Sequence, residues 1–214
     1  NASVDYFKII VKGRGAHVSN PEKGIDALFV ASEIVVSARA LVTRRINPTD
    51  SVIIGIGKLE AGTAYNIVAK SAVLEGTIRV MYPEIRKQVK SKLESLAKGI
   101  ASIYGAEAEI EYKDFTSPLI NPVDTTKEVA IVAKRLLGEE NVIINRPYSL
   151  GGDDFAEFNL RVPGTYVYVG SGNNERPNTL VAHHDGLFEI DEDSLLIASK
   201  LHVAYSLSFL ENLI

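Results

Sequence analysis

The segment AVLEGTIRVM, residues 72–81, alternates apolar and polar side chains in period two. Leu74, Ile78 and Val80 share one side of it, which is typical of a strand that buries one face. The segment SVIIGIG, residues 51–57, also predicts a strand. Two strands therefore follow each other directly in this part of the chain.

A helix is predicted on each side of this pair of strands. Pro21 suits the first turn of a long amphipathic helix, in which apolar residues recur every three or four positions. These residues are Ile25, Leu28, Phe29, Val35, Ala38, Leu41 and Val42. Pro83 opens a second helix of the same kind, and Gly105 ends it.

Two outer strands complete the pattern, YFKIIVK at residues 6–12 and AEAEIEYK at residues 106–113. The order is strand, helix, strand, strand, helix, strand, which is the ferredoxin-like βαββαβ arrangement. We therefore expect residues 5–114 to form a domain. Because an exposed sheet edge favours pairing with another chain, we also expect this domain to dimerise.

Beyond Asn121 the pattern changes to alternating helices and strands. It predicts a helix that is capped by Asp124 and ends at Gly138, then a short VIIN strand. A turn at GGDDF, a TYVYVG strand and a helix from Glu192 follow. Residues 115–214 are therefore expected to form part of an α/β sheet domain, and the fold class of the whole chain is α/β.

Composition limits the classes of function. The chain has 214 residues, of which 46% are hydrophobic, enough for a substantial core. Its 23 basic and 27 acidic residues are spread along the chain, which argues against a nucleic-acid partner and a basic membrane anchor. No apolar run is long enough to span a membrane, and no cysteine is present. We therefore expect a cytoplasmic protein without nucleic-acid or membrane partners.

Two adjacent histidines, His183 and His184, lie just before the predicted final helix. On an extended segment neighbouring side chains point to opposite sides, so at most one of the two is expected to bind a given metal ion. A polar loop explains the pair equally well, and Asp191 can cap the helix. A catalytic zinc site needs three protein ligands, and the sequence offers no complete set.

Further candidate residues lie in loops and on a strand face. His17 follows the first strand in a glycine-containing loop, either as a turn residue or as a side chain presented to a neighbouring surface. Arg79 follows a loop that contains Asn66 and suits either a substrate carboxylate or a surface ion pair. In GGDDF, residues 151–155, the glycines permit close backbone approach and the acids can cap the next helix.

Five motifs give the sequence a family resemblance. They are GRGAHVSNP, IDALFVASEIV, GIGKLEAGTAYNIVAKSAVLEGTIR, GGDDFAEF and AHHDGLFEID, in this order within residues 13–191. Their ordered combination resembles the M20 metallopeptidase family, especially its amidohydrolase branch of N-acyl-amino-acid hydrolases and related carboxypeptidases. The resemblance covers nearly the whole chain. It implies a ferredoxin-like lid and dimerisation domain followed by the C-terminal part of an α/β metallohydrolase catalytic domain.

The resemblance also implies roles for individual residues. His17 matches the lid histidine that reaches the partner subunit's active site and stabilises the developing oxyanion. Asn66 and Arg79 match lid residues that bind the substrate, and the arginine is the candidate for its carboxylate. Gly151 belongs to the glycine turn beside the substrate, and Asp153 occupies the acidic position of that motif.

By the same resemblance His184, four residues before Phe188, matches the C-terminal metal ligand. Asp185 and Gly186 stand where the family often has a proline, so His183 stays an alternative. The complete enzyme is implied to be a homodimer with two divalent ions, which are zinc, manganese, cobalt or nickel. It is implied to hydrolyse an amide bond next to a free carboxylate in an N-acyl-amino acid or small peptide.

The family's other metal ligands and its catalytic glutamate lie in an N-terminal segment without a counterpart here. The chain begins with Asn1 rather than Met, so a processed product, a fragment and a natural short protein are all open. We therefore expect this chain alone to lack hydrolase activity. The alternative is a non-catalytic dimerisation or ligand-binding module.

Overall fold

The computed structural model describes residues 1–211 and divides the chain into two compact units. The first comprises residues 1–120 and 148–157, and the second comprises residues 121–147 and the chain from residue 158 onward. The sequence pattern placed the glycine turn with residues 115–214, whereas the structure packs it with the first unit. Residues 212–214 of the predicted second domain lie outside the described residues.

The first unit contains a four-stranded sheet, made of β1 (Val4–Lys12), β2 (Val52–Ala61), β3 (Ser71–Val80) and β4 (Glu107–Thr116). The strands lie in the order β2-β3-β1-β4, and every neighbouring pair is antiparallel. Helix α1 (Ala27–Arg45) connects β1 to β2, and α2 (Pro83–Ile103) connects β3 to β4. The predicted ferredoxin-like βαββαβ fold is confirmed.

The core lies on one face of this sheet, beneath α1 and α2. Alternate residues of β1 and β3 are buried there, as their period-two patterns predict. The largest fully buried apolar side chains are Phe7, Ile9, Ile34, Leu74, Ile78 and Leu93. The opposite face of the sheet carries polar side chains, among them Tyr6, Glu75 and Arg79, and the glycine turn lies against one end of it.

Helix α1 begins later than predicted. Pro21 starts a short 3-10 turn, and Asp26 caps α1 by accepting hydrogen bonds from the N–H groups of Leu28 and Phe29. Leu28 and Phe29, which were predicted on the apolar face, are exposed. Ala38 and Leu41 are buried, as predicted, and the other buried residues of the helix are Ala27, Val30, Ala31 and Ile34.

The second unit is built from α3 (Val123–Leu137) and α5 (Asp193–Leu210), and its small core contains Val132, Ala133 and Leu201. Gly138 ends α3 in a left-handed conformation, with φ of 89°, as predicted. Pro122 rather than Asp124 is the N-cap residue of α3. A short helix, α4 (Phe155–Asn159), follows the glycine turn.

The predicted VIIN and TYVYVG strands are not formed. In the part of the second unit that the structure describes, neither segment has a ladder partner, and a strand without hydrogen-bonded neighbours is not stable. The expectation of a partial sheet is therefore wrong for these residues. Within residues 1–211, no helix is both long and apolar enough to cross a bilayer.

Candidate functional site

His17 and Asn66 lie in two loops that extend the pairing of β1 and β3. The Val18 N–H donates to the Asn66 carbonyl at 3.1 Å, and the Val68 N–H donates to the Ala16 carbonyl at 2.8 Å. His17 is exposed and Asn66 is half-buried. Within residues 1–211 the side-chain amide of Asn66 makes no hydrogen bond. The structure therefore brings these two predicted side chains to the same end of the sheet.

Arg79 and the glycine turn lie together near the other end of β3. The Nη1 atom of Arg79 donates a hydrogen bond to the Leu150 carbonyl at 3.0 Å. Among the described residues the half-buried guanidinium makes no ion pair. Its charge is therefore available to a carboxylate from outside, which the planar fork of arginine binds well.

The backbone of the glycine turn is tied to the start of β1 and the end of β4. The Ala2 N–H donates to the carbonyls of Ser149 and Gly151, both at 3.1 Å. The Thr116 hydroxyl donates to the Asp153 carbonyl at 2.8 Å. These bonds explain why the turn belongs to the first unit.

Gly152 has no room for a side chain. A Cβ atom at this position would lie 2.3 Å from Cγ2 of Val4 and 3.0 Å from Cγ2 of Thr116. The Asp153 carboxylate accepts a hydrogen bond from the Phe155 N–H at 2.9 Å, at the start of α4. The capping role considered for the acids is thus present in Asp153.

The two groups of candidate residues are far apart within one chain. The ladder from Ser71 to Arg79 spans about 26 Å at about 3.3 Å per residue, and His17 and Asn66 lie beyond its Ser71 end. A small substrate held by Arg79 cannot reach His17 of the same chain.

Three polar side chains, those of Tyr6, Glu75 and Lys58, interact on the face of the sheet opposite the helices. The Tyr6 hydroxyl donates to Glu75 at 2.6 Å, and Nζ of Lys58 donates to Glu75 at 3.1 Å. The hydrogen bond from Tyr6 and then the one from Lys58 hold the pKa of Glu75 below its ordinary value. The same hydrogen bond raises the pKa of Tyr6. These three side chains are hydrogen-bonded to one another, whereas Arg79 has no ion-pair partner among the described residues.

The segment with the two histidines consists of turns in the second unit. The Asp185 N–H donates to the Ala182 carbonyl at 3.2 Å, and the Phe188 N–H donates to the Asp185 carbonyl at 3.1 Å. The expectation of an extended segment is therefore wrong, because His184 has a left-handed backbone with φ of 70°. For a residue other than glycine this conformation costs about 1–2 kcal/mol.

The two histidines differ in their contacts. The ring of His183 packs edge-on against Phe188, with ring centroids 4.8 Å apart. His184 is exposed. No group of three or more His, Cys, Asp or Glu side chains in residues 1–211 could hold a metal ion. The described residues thus offer no more than a single predicted ligand and do not fit a complete metal centre.

The sequence patterns did not predict two features of the first unit. Ser19 contacts the ring of His17, a contact that the two-residue spacing after the histidine could have indicated. Asp5 is fully buried in β1, in phase with Phe7 and Ile9 on the core face. An acidic residue at such a position indicates a buried ion pair.

Residues 3–104 match the family of peptidase dimerisation domains M20_dimer. The chain is 32% identical to N-acetylcysteine deacetylase from Bacillus subtilis (strain 168), over 99% of this chain and 53% of the relative. It is 31% identical to thermostable carboxypeptidase 1 from Saccharolobus solfataricus, over 97% of this chain and 52% of the relative.

A solved structure of a dinuclear metal-binding peptidase of the M20 family from Bacillus subtilis is also similar. Its TM-score is 0.78 at 28% sequence identity, and the match covers 98% of this chain and 51% of that chain. The present chain therefore spans about half the length of these relatives.

Proposed function

Because the chain belongs to the M20 family of peptidases and amidohydrolases, we propose that it forms the lid and one wall of an enzyme that hydrolyses an amide bond. The substrate is an N-acyl-amino acid or a small peptide. The deacetylase and the carboxypeptidase among the relatives support this class, since both names imply cleavage of an amide next to a free carboxylate. The cysteine-free sequence suits a cytoplasmic enzyme.

The separation of His17 from Arg79 carries this proposal. One small substrate cannot touch both groups of the same chain, but two copies can each supply one group to a shared site. We therefore propose a homodimer in which His17 and Asn66 of one copy face Arg79 and the glycine turn of the other. The match of residues 3–104 to a dimerisation domain supports this arrangement.

The dimer contact is proposed on the side of β2 and α1. Exposed apolar side chains occur on both elements: Leu28 and Val36 on α1, and Ile53 and Leu59 on β2. The other edge strand, β4, carries Glu107, Glu109, Glu111 and Lys113. Charged side chains of this kind discourage edge pairing, so β2 is the better edge for a second copy.

Each residue has a separate part in the proposed reaction. Arg79 binds the substrate carboxylate, and its hydrogen bond to Leu150 fixes the guanidinium beside the glycine turn. Gly151 leaves the backbone of the glycine turn open to the substrate. His17 donates a hydrogen bond to the carbonyl oxygen as negative charge develops there, and Asn66 supplies a further amide group.

His184 is proposed as the single metal ligand from residues 1–211. The relative that binds two metal ions supports a two-ion centre in the family, and zinc, manganese, cobalt and nickel are the candidate ions. The remaining ligands and the general base are proposed to come from polypeptide corresponding to the other half of the relatives.

A hybrid enzyme tests the proposal. In it, this chain replaces the matching half of the Bacillus subtilis N-acetylcysteine deacetylase, and release of acetate from N-acetyl-amino acids is measured with manganese, cobalt or zinc. We expect turnover by the hybrid and none by this chain alone. Loss of His17 as H17A should lower turnover by about 10²-fold or more. A folded, metal-loaded hybrid without activity would favour the non-catalytic module instead.

A further inference from the structure

The backbone around His17 is fixed on both sides. The neighbouring loop holds Ala16 and Val18 through the hydrogen bonds to Val68 and Asn66. The Asn20 N–H then donates to the His17 carbonyl at 2.8 Å, which closes a tight turn over residues 17–20. The imidazole is therefore presented from a defined backbone despite its exposure.

Two groups of Ser19 converge on one nitrogen of this imidazole. The backbone N–H of Ser19 donates to Nδ1 at 3.1 Å, and the Ser19 hydroxyl oxygen lies 2.6 Å from the same nitrogen. A backbone N–H can only donate, so Nδ1 must accept. A neutral ring then carries its hydrogen on Nε2.

Asn20 gives the serine hydroxyl a direction. Its Nδ2 atom donates to Oγ of Ser19 at 3.0 Å, so that oxygen already accepts one hydrogen bond. The hydroxyl hydrogen is then directed to Nδ1 of His17. In the opposite tautomer the hydrogen on Nδ1 would face the Ser19 N–H, and two donors would oppose each other.

We propose that Ser19 is a positioning residue that keeps His17 as an Nε2–H donor, with Asn20 orienting the serine. This inference rests on the proposed role of His17 toward the carbonyl oxygen. The ring then presents a hydrogen, rather than a lone pair, on the nitrogen opposite Ser19. A donor set in this way before the substrate arrives needs no reorganisation during the reaction.

The tautomer can be measured on this chain without any catalysis. Multiple-bond proton–nitrogen NMR spectra of the 15N-labelled chain distinguish Nδ1–H from Nε2–H in each histidine. The spectra are recorded in alkaline buffer, where imidazole is neutral. His17 is assigned with His17→Gln, and exposed His202 on α5 serves as the internal reference.

We expect His17 of the unaltered chain to be predominantly Nε2–H. Ser19→Ala keeps the backbone N–H and removes the hydroxyl donor, so it should raise the Nδ1–H fraction of His17 without making that tautomer predominant, while His202 stays unchanged. Ser19→Thr keeps a hydroxyl and should restore the original signal. A predominantly Nδ1–H His17, or signals that are identical in Ser19→Ala, would overturn the inference.

The same variants in the hybrid enzyme separate this inference from the proposed function. If Ser19 acts through His17, Ser19→Ala should lower kcat by about ten-fold with little change in KM, and Ser19→Thr should recover most of it. If the NMR result holds while His17→Gln leaves turnover unchanged, the positioning by Ser19 stands and the catalytic role of His17 is wrong. If turnover depends on His17 but the tautomer does not respond to Ser19→Ala, the inference about Ser19 fails alone.

Discussion

The buried carboxylate of Asp5 in β1 is held by the guanidinium of Arg86 in α2. Nε and Nη2 of Arg86 lie 2.9 and 2.6 Å from the two carboxylate oxygens, and the side chain of Asp5 is 0% exposed. Lys90 adds a second cation at 2.9 Å. The pair joins α2 to the sheet at the end where Arg79 and the glycine turn lie.

Asp5→Asn should destabilise the chain by about 3–5 kcal/mol, because it removes the buried carboxylate and leaves Arg86 and Lys90 with only the exposed Asp114 as an acidic partner. Urea unfolding followed by circular dichroism measures the change. Glu94→Gln is the matched control, since the Glu94–Lys98 pair is exposed and its loss should cost less than about 0.5 kcal/mol. If both changes lowered the free energy of unfolding equally, the stabilising role of the buried Asp5–Arg86 pair would be contradicted.

Gly152→Ala should destabilise the first unit by about 1–3 kcal/mol, because the new methyl group would overlap Val4 in β1. Gly170→Ala is the control, since a Cβ there meets nothing within 4 Å. Its effect should stay within about 0.5 kcal/mol. Unfolding midpoints in urea measure both effects. If Gly152→Ala left the midpoint unchanged, the glycine turn would not be packed tightly against Val4.

Ile53→Lys should dissociate the proposed dimer. The side chain lies on edge strand β2 and is 38% exposed, so a charge there disturbs the contact more than the fold. Sedimentation should give twice 23.3 kDa for the unaltered chain and 23.3 kDa for the variant at micromolar concentration. Glu107→Lys on β4 should remain dimeric, and dissociation by this change instead would move the contact to the other edge.

Mixing two inactive variants of the hybrid enzyme should recover activity. His17→Ala and Arg79→Ala chains, denatured and refolded together in equal amounts, should regain about a quarter of the unaltered activity. Half of the dimers then contain both chains, and one of their two sites is intact. Each variant refolded alone should stay inactive. The absence of recovery would mean that both residues serve the same chain's site.

The stability of the second unit should fall in acid because of Asp191. A hydrogen bond from the Asn173 amide at 2.6 Å and another from the Asp193 N–H hold the pKa of Asp191 below its ordinary value. The stabilisation is fully present above the unfolded-chain pKa and is lost as the pH falls through the folded one. Carboxyl NMR titration should show the pKa of Asp191 moving upward in Asn173→Ala.

The first unit could be predicted because its strands bury one face only. In β3 the alternation around Leu74 and Ile78 follows directly from that environment. The buried face of helix α1 was predicted correctly at Ala38 and Leu41. It was predicted wrongly at the start of the helix, where Ala27 and Ala31 are the buried residues. The small side chain of alanine gives a weaker hydrophobic signal than that of leucine or phenylalanine, so Leu28 and Phe29 were misleading.

In the second unit, local sequence patterns predicted two strands that are not formed. TYVYVG has the composition of a strand, but strand formation depends on a partner strand that local sequence does not specify, and the described residues supply none. The anchoring of the glycine turn has the same long-range character. Ala2 holds Ser149, and Arg79 holds Leu150, contacts that no local window contains.

Residues 148–157 belong to the first unit, although residues 121–147 of the second unit precede them in the chain. The polypeptide leaves the first unit after Ile120, returns to it at Tyr148 and departs again after Glu157. Residues 1–120 taken alone would lack the hydrogen-bond partners of Ala2, Arg79 and Thr116. An exchange that keeps the first unit of this chain intact therefore has to transfer two separate stretches of coding sequence together, those for residues 1–120 and residues 148–157.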